Sequence, residues 1–382
     1  MIRPRLLLRA PIAAVAVALM AQPTVAPAPG PAPEIVAPLV LGEPRLLYTG
    51  PYTDIGPLAP QADSGFLIAV ADYGDDLVVG RFADDGTREA LHALGSLGYS
   101  ELGNLRSLAP LDVDSFAVTW DRDQHWVGFR ESRRVFFHDC RRRGAGSTDA
   151  LAPALIGDGK GGAIGVFLVE GSTVAEGKSF FGHWSMRNRL IAQRRLHRVG
   201  RPYDAQPLGS GVLITSSVDG TGYALTWLDA DGNVLDRGSV PFGTVATDGD
   251  SALVAVARSA SGLLLTARVG ASPSRLGPPR VVGNEAAAFP LLDTAATFTP
   301  DGGVLVAWTL YAQPDADCGI WLRVLSPSGE PLGDAVCGAP PDAERPQLAT
   351  SADGTVWLAW RTLDISVIPF LGRIWQREVV IQ

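Results

Sequence analysis

The sequence predicts an all-β fold built from repeated four-stranded units, and three observations predict it. TPDGGVLVAW at residues 299–308 returns as SADGTVWLAW at 351–360. Short apolar runs of the same kind stand at 65–71, 115–120, 162–169, 211–217, 251–257, 303–308 and 355–360, spaced 40 to 52 residues apart. That spacing is the period of a propeller blade. Finally, 43 Gly and 29 Pro in 382 residues supply the turns that many short strands need.

The sixth copy gives the grammar of one unit. AATF (295–298) reads as strand A, TPDGG as the turn and VLVAW as strand B; a variable loop leads to strand C, IWLRVL (320–325), then SPSG turns the chain into strand D, PLGDAVC. Copy four repeats it with YALTWL, DADG and NVLDRGSV, and copy one with LVVGRF, ADDG and TREALHAL. Asp-Gly and Ser-Gly at fixed offsets are hairpin chemistry, because Gly accepts positive φ without penalty. The seventh copy reaches strand C at GRIWQREVVIQ and stops, while PRLLYTG (44–50) stands unassigned ahead of the first copy. The N-terminal segment is therefore expected to complete the last blade and close the ring, which removes exposed sheet edges. On these repeats, residues 44–382 resemble bacterial exported seven-bladed β-propellers with degenerate "DG, then V-A-W" blades. The expected fold is a seven-bladed β-propeller closed by an N-terminal strand added to the last blade. SADGTVW is also similar to the Asp box of sialidases, short of one residue between Asp353 and Gly354.

Ahead of the ring, Arg3, Arg5 and Arg9 followed by the apolar run Ala10 to Ala21 read as a signal peptide over 1–21. As a helix the run reaches about 18 Å, short of the roughly 30 Å hydrocarbon core. Residues 22–43 read as a Pro/Ala-rich linker, and a membrane enters only if the N-terminal segment stays uncleaved. The expected location is outside the cytoplasm, as a monomer. There a disulfide can form, and Leu325 set opposite Glu330 across the Ser-Pro-Ser-Gly loop would bring Cys318 opposite Cys337. Cys140 reads as a packed thiol.

The formal charge of −8 argues against nucleic acid. It is unevenly spread: residues 121–201 carry +7 and the remainder −15. Five histidines show no metal-ligand spacing, acidic turns such as ADDG and DADG read as hairpins, and no nucleophile elbow, phosphate loop or dinucleotide fingerprint occurs, so neither metal nor cofactor is expected. Trp120, Trp308 and Trp360 at the ends of B strands, with Trp321 and Trp375 in C strands, read as blade-to-blade core. Arg81, Arg268, Arg323 and Arg377 recur in C strands, away from the channel. Copies three and seven carry long B–C segments, EGSTVAEGKSFFGHWSM (170–186) and TLDISVIPFLG (362–372). The first supplies the expected contact patch: Phe180, Phe181, His183 and Trp184, with Arg187 and Arg189. The sequence thus favours a non-catalytic binding or scaffold module that meets a protein or glycan through its loop face, against a carbohydrate-active enzyme that would need carboxylates, His or Tyr converging at the channel mouth.

Overall fold

The computed structural model describes residues 39–381 apart from short internal segments, namely 52, 62–64, 72–75, 84, 97–104, 113–114, 121–125, 132–133, 140–149, 170–177, 186, 188, 219–221, 259–263, 284–290, 311–316, 365 and 367–369. The signal peptide, most of the linker, Cys140 and the start of the copy-three segment lie outside the described residues.

Strands β1 (Leu39–Leu41) and β2 (Arg45–Pro51) come first. Among the described residues, six four-stranded sheets of consecutive strands follow. The first is β3 (Asp54–Pro60), β4 (Phe66–Ala71), β5 (Asp76–Phe82) and β6 (Arg88–Ser96); the second is β7 (Leu105–Pro110), β8 (Ser115–Trp120), β9 (Trp126–Glu131) and β10 (Arg134–Asp139). The third is β11 (Ala150–Gly157), β12 (Ala163–Val169), β13 (Lys178–Trp184) and β14 (Leu190–Arg195); the fourth is β15 (Pro202–Leu208), β16 (Gly211–Val218), β17 (Gly222–Leu228) and β18 (Val234–Val240). The fifth is β19 (Gly243–Thr247), β20 (Leu253–Arg258), β21 (Leu265–Gly270) and β22 (Arg280–Gly283); the sixth is β23 (Leu291–Phe298), β24 (Val304–Leu310), β25 (Ile320–Leu325) and β26 (Pro331–Ala339).

The last sheet departs from the expected blade. Strands β27 (Ala343–Thr350), β28 (Val356–Asp364) and β29 (Leu371–Ile381) are joined by both N-terminal strands, giving five in all. Thr49 stands opposite Arg373 and Arg45 opposite Gln376, while Leu39 to Leu41 pair with Val379 to Ile381. The extra strand β1 lies inside the segment read as linker. Each sheet runs antiparallel, so A–B and C–D turns share one face of the ring, and B–C and D–A connections share the other, here the upper face.

First strands adjoin one another in sequence order, and β27 adjoins β3. The hydrophobic core is divided accordingly. Among the described residues, seven clusters each join two neighbouring sheets; one of them packs Leu47, Trp357 and Ile374 of the composite sheet against Phe66, Ile68 and Phe82 of the first sheet. Second strands are the most apolar because both their faces meet a neighbouring blade: β4 is buried at every residue. Trp308 and Trp360, each opposite a tryptophan on the next strand (Trp321 and Trp375), are fully buried in two successive seams. The side chain of Trp120 lies outside the described residues.

The acidic turns are held by their own carboxylates. Asp229 accepts N–H bonds from Asp231 and Asn233 while Gly232 adopts φ 78°, which is why the DADG turn needs both residue types. C-strand arginines tie blades together: Arg323 donates to the carbonyl of Val282, and Arg377 to that of Gly338, each on the preceding sheet.

Cys318 and Cys337 form a disulfide with Cα atoms 5.6 Å apart. The register that brings them together differs from expectation: Leu325 faces Pro331, and irregularities on β25 place Cys337 opposite Trp321. Cys318 reaches it from just before the strand. The bond closes a separation of 19 residues. Reduction is expected to destabilise the fold by about 3 kcal/mol in the chain-entropy account. Denaturant titrations with and without reductant measure this, and mass spectrometry of the unreduced protein detects the bond; two free thiols would contradict it.

Candidate functional site

The expected patch from copy three does not assemble as one surface. Residues 178–184 are the third strand of their sheet, β13, and not a loop. Phe181 and Trp184 are buried, each 2% exposed, in the two different seams that flank the sheet. Phe180 is half-buried and stacks on Phe167 at 5.6 Å. Gly182 explains the strand's unusual composition: a Cβ there would lie 2.3 Å from the Trp184 ring. His183 bonds through Nε2 to Asp158 Oδ2 at 2.8 Å, in the A–B turn. Burial opposes ionisation of Asp158, but the His183 bond and the N–H groups of Lys160 and Gly162 outweigh it and hold the carboxyl below its usual range. Arg187 and Arg189 are exposed beside the C–D turn, on the face opposite the B–C loops. In copy seven, Thr362 to Asp364 belong to β28, and Leu371 and Gly372 to β29, so the connection there is shorter than its sequence suggested.

Charged groups gather instead where the first strands begin, on the upper face at the mouth of the channel. Asp54 opens β3, Glu344 and Arg345 open β27, Arg361 faces Glu344 across the ladder from β28, and Asp293 lies near the start of β23. Arg361 donates from Nη1 to Asp54 Oδ1 at 3.0 Å and from Nε to Glu344 Oε1 at 2.9 Å; Arg345 pairs with the other oxygen of Asp54. Local backbone aims these groups. The ladder of β27 is irregular between Glu344 and Gln347, and Arg345 sits at φ 54°, an unusual conformation for a side-chain-bearing residue.

Burial pushes the Asp54 carboxyl above its usual range, and Arg361 and Arg345 recover only part of the shift. Asp293 is raised as well, again chiefly by burial, with Arg345 opposing and Glu344 and Asp54 adding to it. Among the described residues no hydrogen bond reaches the Asp293 carboxylate. Asp204, in β15, is raised furthest, to about 6, by burial that outweighs bonds from Gln206 and the Ala205 N–H. Asp54 and Arg345 are 291 residues apart and meet only because the ring closes. No local signal in either segment marks them, and sequence reasoning passed over both. Among the described residues, no group of three or more His, Cys, Asp or Glu is placed to hold a metal ion.

A raised carboxyl binds its proton more tightly in the folded state. Asp204 therefore adds stability that is present below the ordinary carboxylate pKa, 3.8, and is lost as pH rises through about 6. Asp204→Asn is expected to be more stable than the parent at pH 7.5 by about 1–2 kcal/mol, and the difference should vanish near pH 4. Melting temperatures across that range check it; a pH-independent difference would contradict the assignment.

No protein-family model and no curated protein sequence matches the chain. Solved structures do. The β-propeller domain of Cps50 (Swd1) from Myceliophteria thermophila superposes with a TM-score of 0.55 at 11% identity, over 88% of this chain and 99% of that one. The fold is a β-propeller. An acylaminoacyl peptidase from Pyrococcus horikoshii aligns at a TM-score of 0.48 and 9% identity over 86% of this chain, which spans 52% of that longer protein. The propeller domain of the trilobed protease from Pyrococcus furiosus, described as having an open velcro topology, aligns at 0.46 and 9% over 82% of this chain and 91% of that one.

Proposed function

We propose that this propeller is a non-catalytic binding module of the cell envelope or exterior, recognising a protein or glycan through its upper face. The composite sheet counts as the seventh blade and closes the ring, and residues 1–21 serve as the export signal. One observation carries the binding reading: the charged groups converging at the channel mouth are largely committed to each other. Arg361 is held between Asp54 and Glu344, and Arg345 on Asp54, so these groups clasp the closing seam. A reacting substrate would have to displace them. The Cys318–Cys337 disulfide suits an oxidising compartment. The net charge of −8 disfavours nucleic acid as partner.

A second reading, a carbohydrate-active enzyme, draws on Asp293, a half-buried carboxyl that burial raises above its usual range. The two separate on one experiment. Affinity electrophoresis in polysaccharide gels and reducing-sugar release are measured on the same panel. Retention or partner binding without release supports the module; release abolished by Asp293→Asn overturns it.

A further inference from the structure

Twelve large hydrophobic side chains stand exposed among the described residues, and only Tyr203 and Phe242 are aromatic. Both touch the same third ring. Tyr223 lies 5.5 Å from Tyr203, tilted by 52°, and 5.0 Å from Phe242, edge-on at 87°. In sequence these residues belong to three separate elements. Tyr203 follows the first residue of β15, Tyr223 the first residue of β17, and Phe242 sits in the connection from β18 to β19. The topology places all three at the upper face, over the seam between the fourth and fifth blades, where Tyr223 packs on the cluster that joins them.

The backbone presents Tyr203 outward. The ladder between β15 and β16 passes from Pro202 opposite Ser216 to Asp204 opposite Thr215, so Tyr203 is the extra residue of a bulge, 37% exposed. Such irregularities re-aim side chains. Phe242 is 43% exposed. Beside them Asp204 accepts bonds from the Ala205 N–H and Gln206 Nε2, both at 2.8 Å, and Gln206 Nε2 also donates to the carbonyl of Val245 on the fifth blade at 2.6 Å. Burial, then the Tyr203 phenol and the Asp204 carboxylate raise the pKa of the Tyr223 phenol, so the three polar groups lie within electrostatic reach of one another.

We infer that the Tyr203–Tyr223–Phe242 cluster, with Asp204 at its edge, is a stacking site for a neutral pyranose sugar of a glycan chain. This deepens the binding reading above and rests on it. Aromatic faces match the C–H face of a pyranose ring, while phenols and a carboxylate fixed by Gln206 accept bonds from its hydroxyls. A purely structural seam needs no exposed aromatic pair, and a carboxylate beside the rings disfavours an anionic ligand.

The test uses the full exported chain and neutral hexasaccharides of β-glucan, xylan and mannan type, with binding followed by calorimetry. The parent is expected to bind at least one of them, and Tyr203→Ala and Phe242→Ala each to weaken that binding at least tenfold. Both side chains are exposed, so melting temperature is expected to stay within a few degrees, and Tyr203→Trp should retain binding. Unchanged affinity in the Tyr203→Ala/Phe242→Ala double variant would overturn this site while leaving the binding module intact. Binding to none of the sugars would also overturn it. Sugar release by the parent would instead overturn the non-catalytic reading.

Discussion

Removal of residues 39–51 is expected to unfold the protein or drive it into oligomers. The deletion strips both N-terminal strands from β29, leaving one side of an 11-residue strand unpaired. Leu39 and Leu47, buried in two different seams, would be lost with them. Each buried leucine contributes about 1.5–3 kcal/mol. The half-buried Tyr48 and the ladder bonds add to that, so the loss approaches the total stability of about 5–15 kcal/mol typical of a domain. An exposed edge of that length also templates pairing between molecules. Size-exclusion chromatography and thermal melting of the truncated chain check this. A monomer melting with the parent would show that the N-terminal strands do not hold the ring.

Replacing Arg361 by Met is expected to destabilise the fold by about 3–5 kcal/mol, because it leaves the mostly buried Asp54 carboxylate and the half-buried Glu344 carboxylate without their shared cation. The side chain of Arg361 is 13% exposed and that of Asp54 15%, so solvent replaces little of the lost interaction. Arg345, 41% exposed, remains on Asp54, and its own removal should cost less, about 1 kcal/mol or under. Denaturant titration ranks the two. A second measure separates charge from packing: Asp54→Asn in the Arg361→Met background should recover part of the loss, since it removes one stranded carboxylate. A cost below about 1 kcal/mol for Arg361→Met would mean that the charges at the mouth do not bind the seam. The fold would then owe its closure to the apolar cluster and the N-terminal strands alone.

Several features depend only on neighbours along the chain or on a repeated pattern, and these the sequence determined. Hairpin turns such as DADG are local, since the Asp side chain and the Gly backbone act within four residues. The repeat places Trp308 and Trp360 at equivalent sites, and both are core. The apolar segment at 44–50 pairs with β29 and covers an edge of that strand that would otherwise stand open. Cys318 and Cys337 meet because one hairpin joins them, although irregular pairing on β25 altered the register.

Other features were decided by tertiary structure. KSFFGHW lies inside the segment 170–186, which reads in sequence as one long B–C connection. The strand forms because its two faces serve two different seams, and Gly182 makes room for the Trp184 ring. The clasp of Asp54 with Arg345 and Arg361, and the exposed ring cluster around Tyr223, join residues from separate strands or separate blades. Repetition in sequence specifies each blade. Which side chains face each other at the mouth and on the rim depends on the order of the blades around the ring and on backbone irregularities at Glu344 and Pro202, and no local pattern records either.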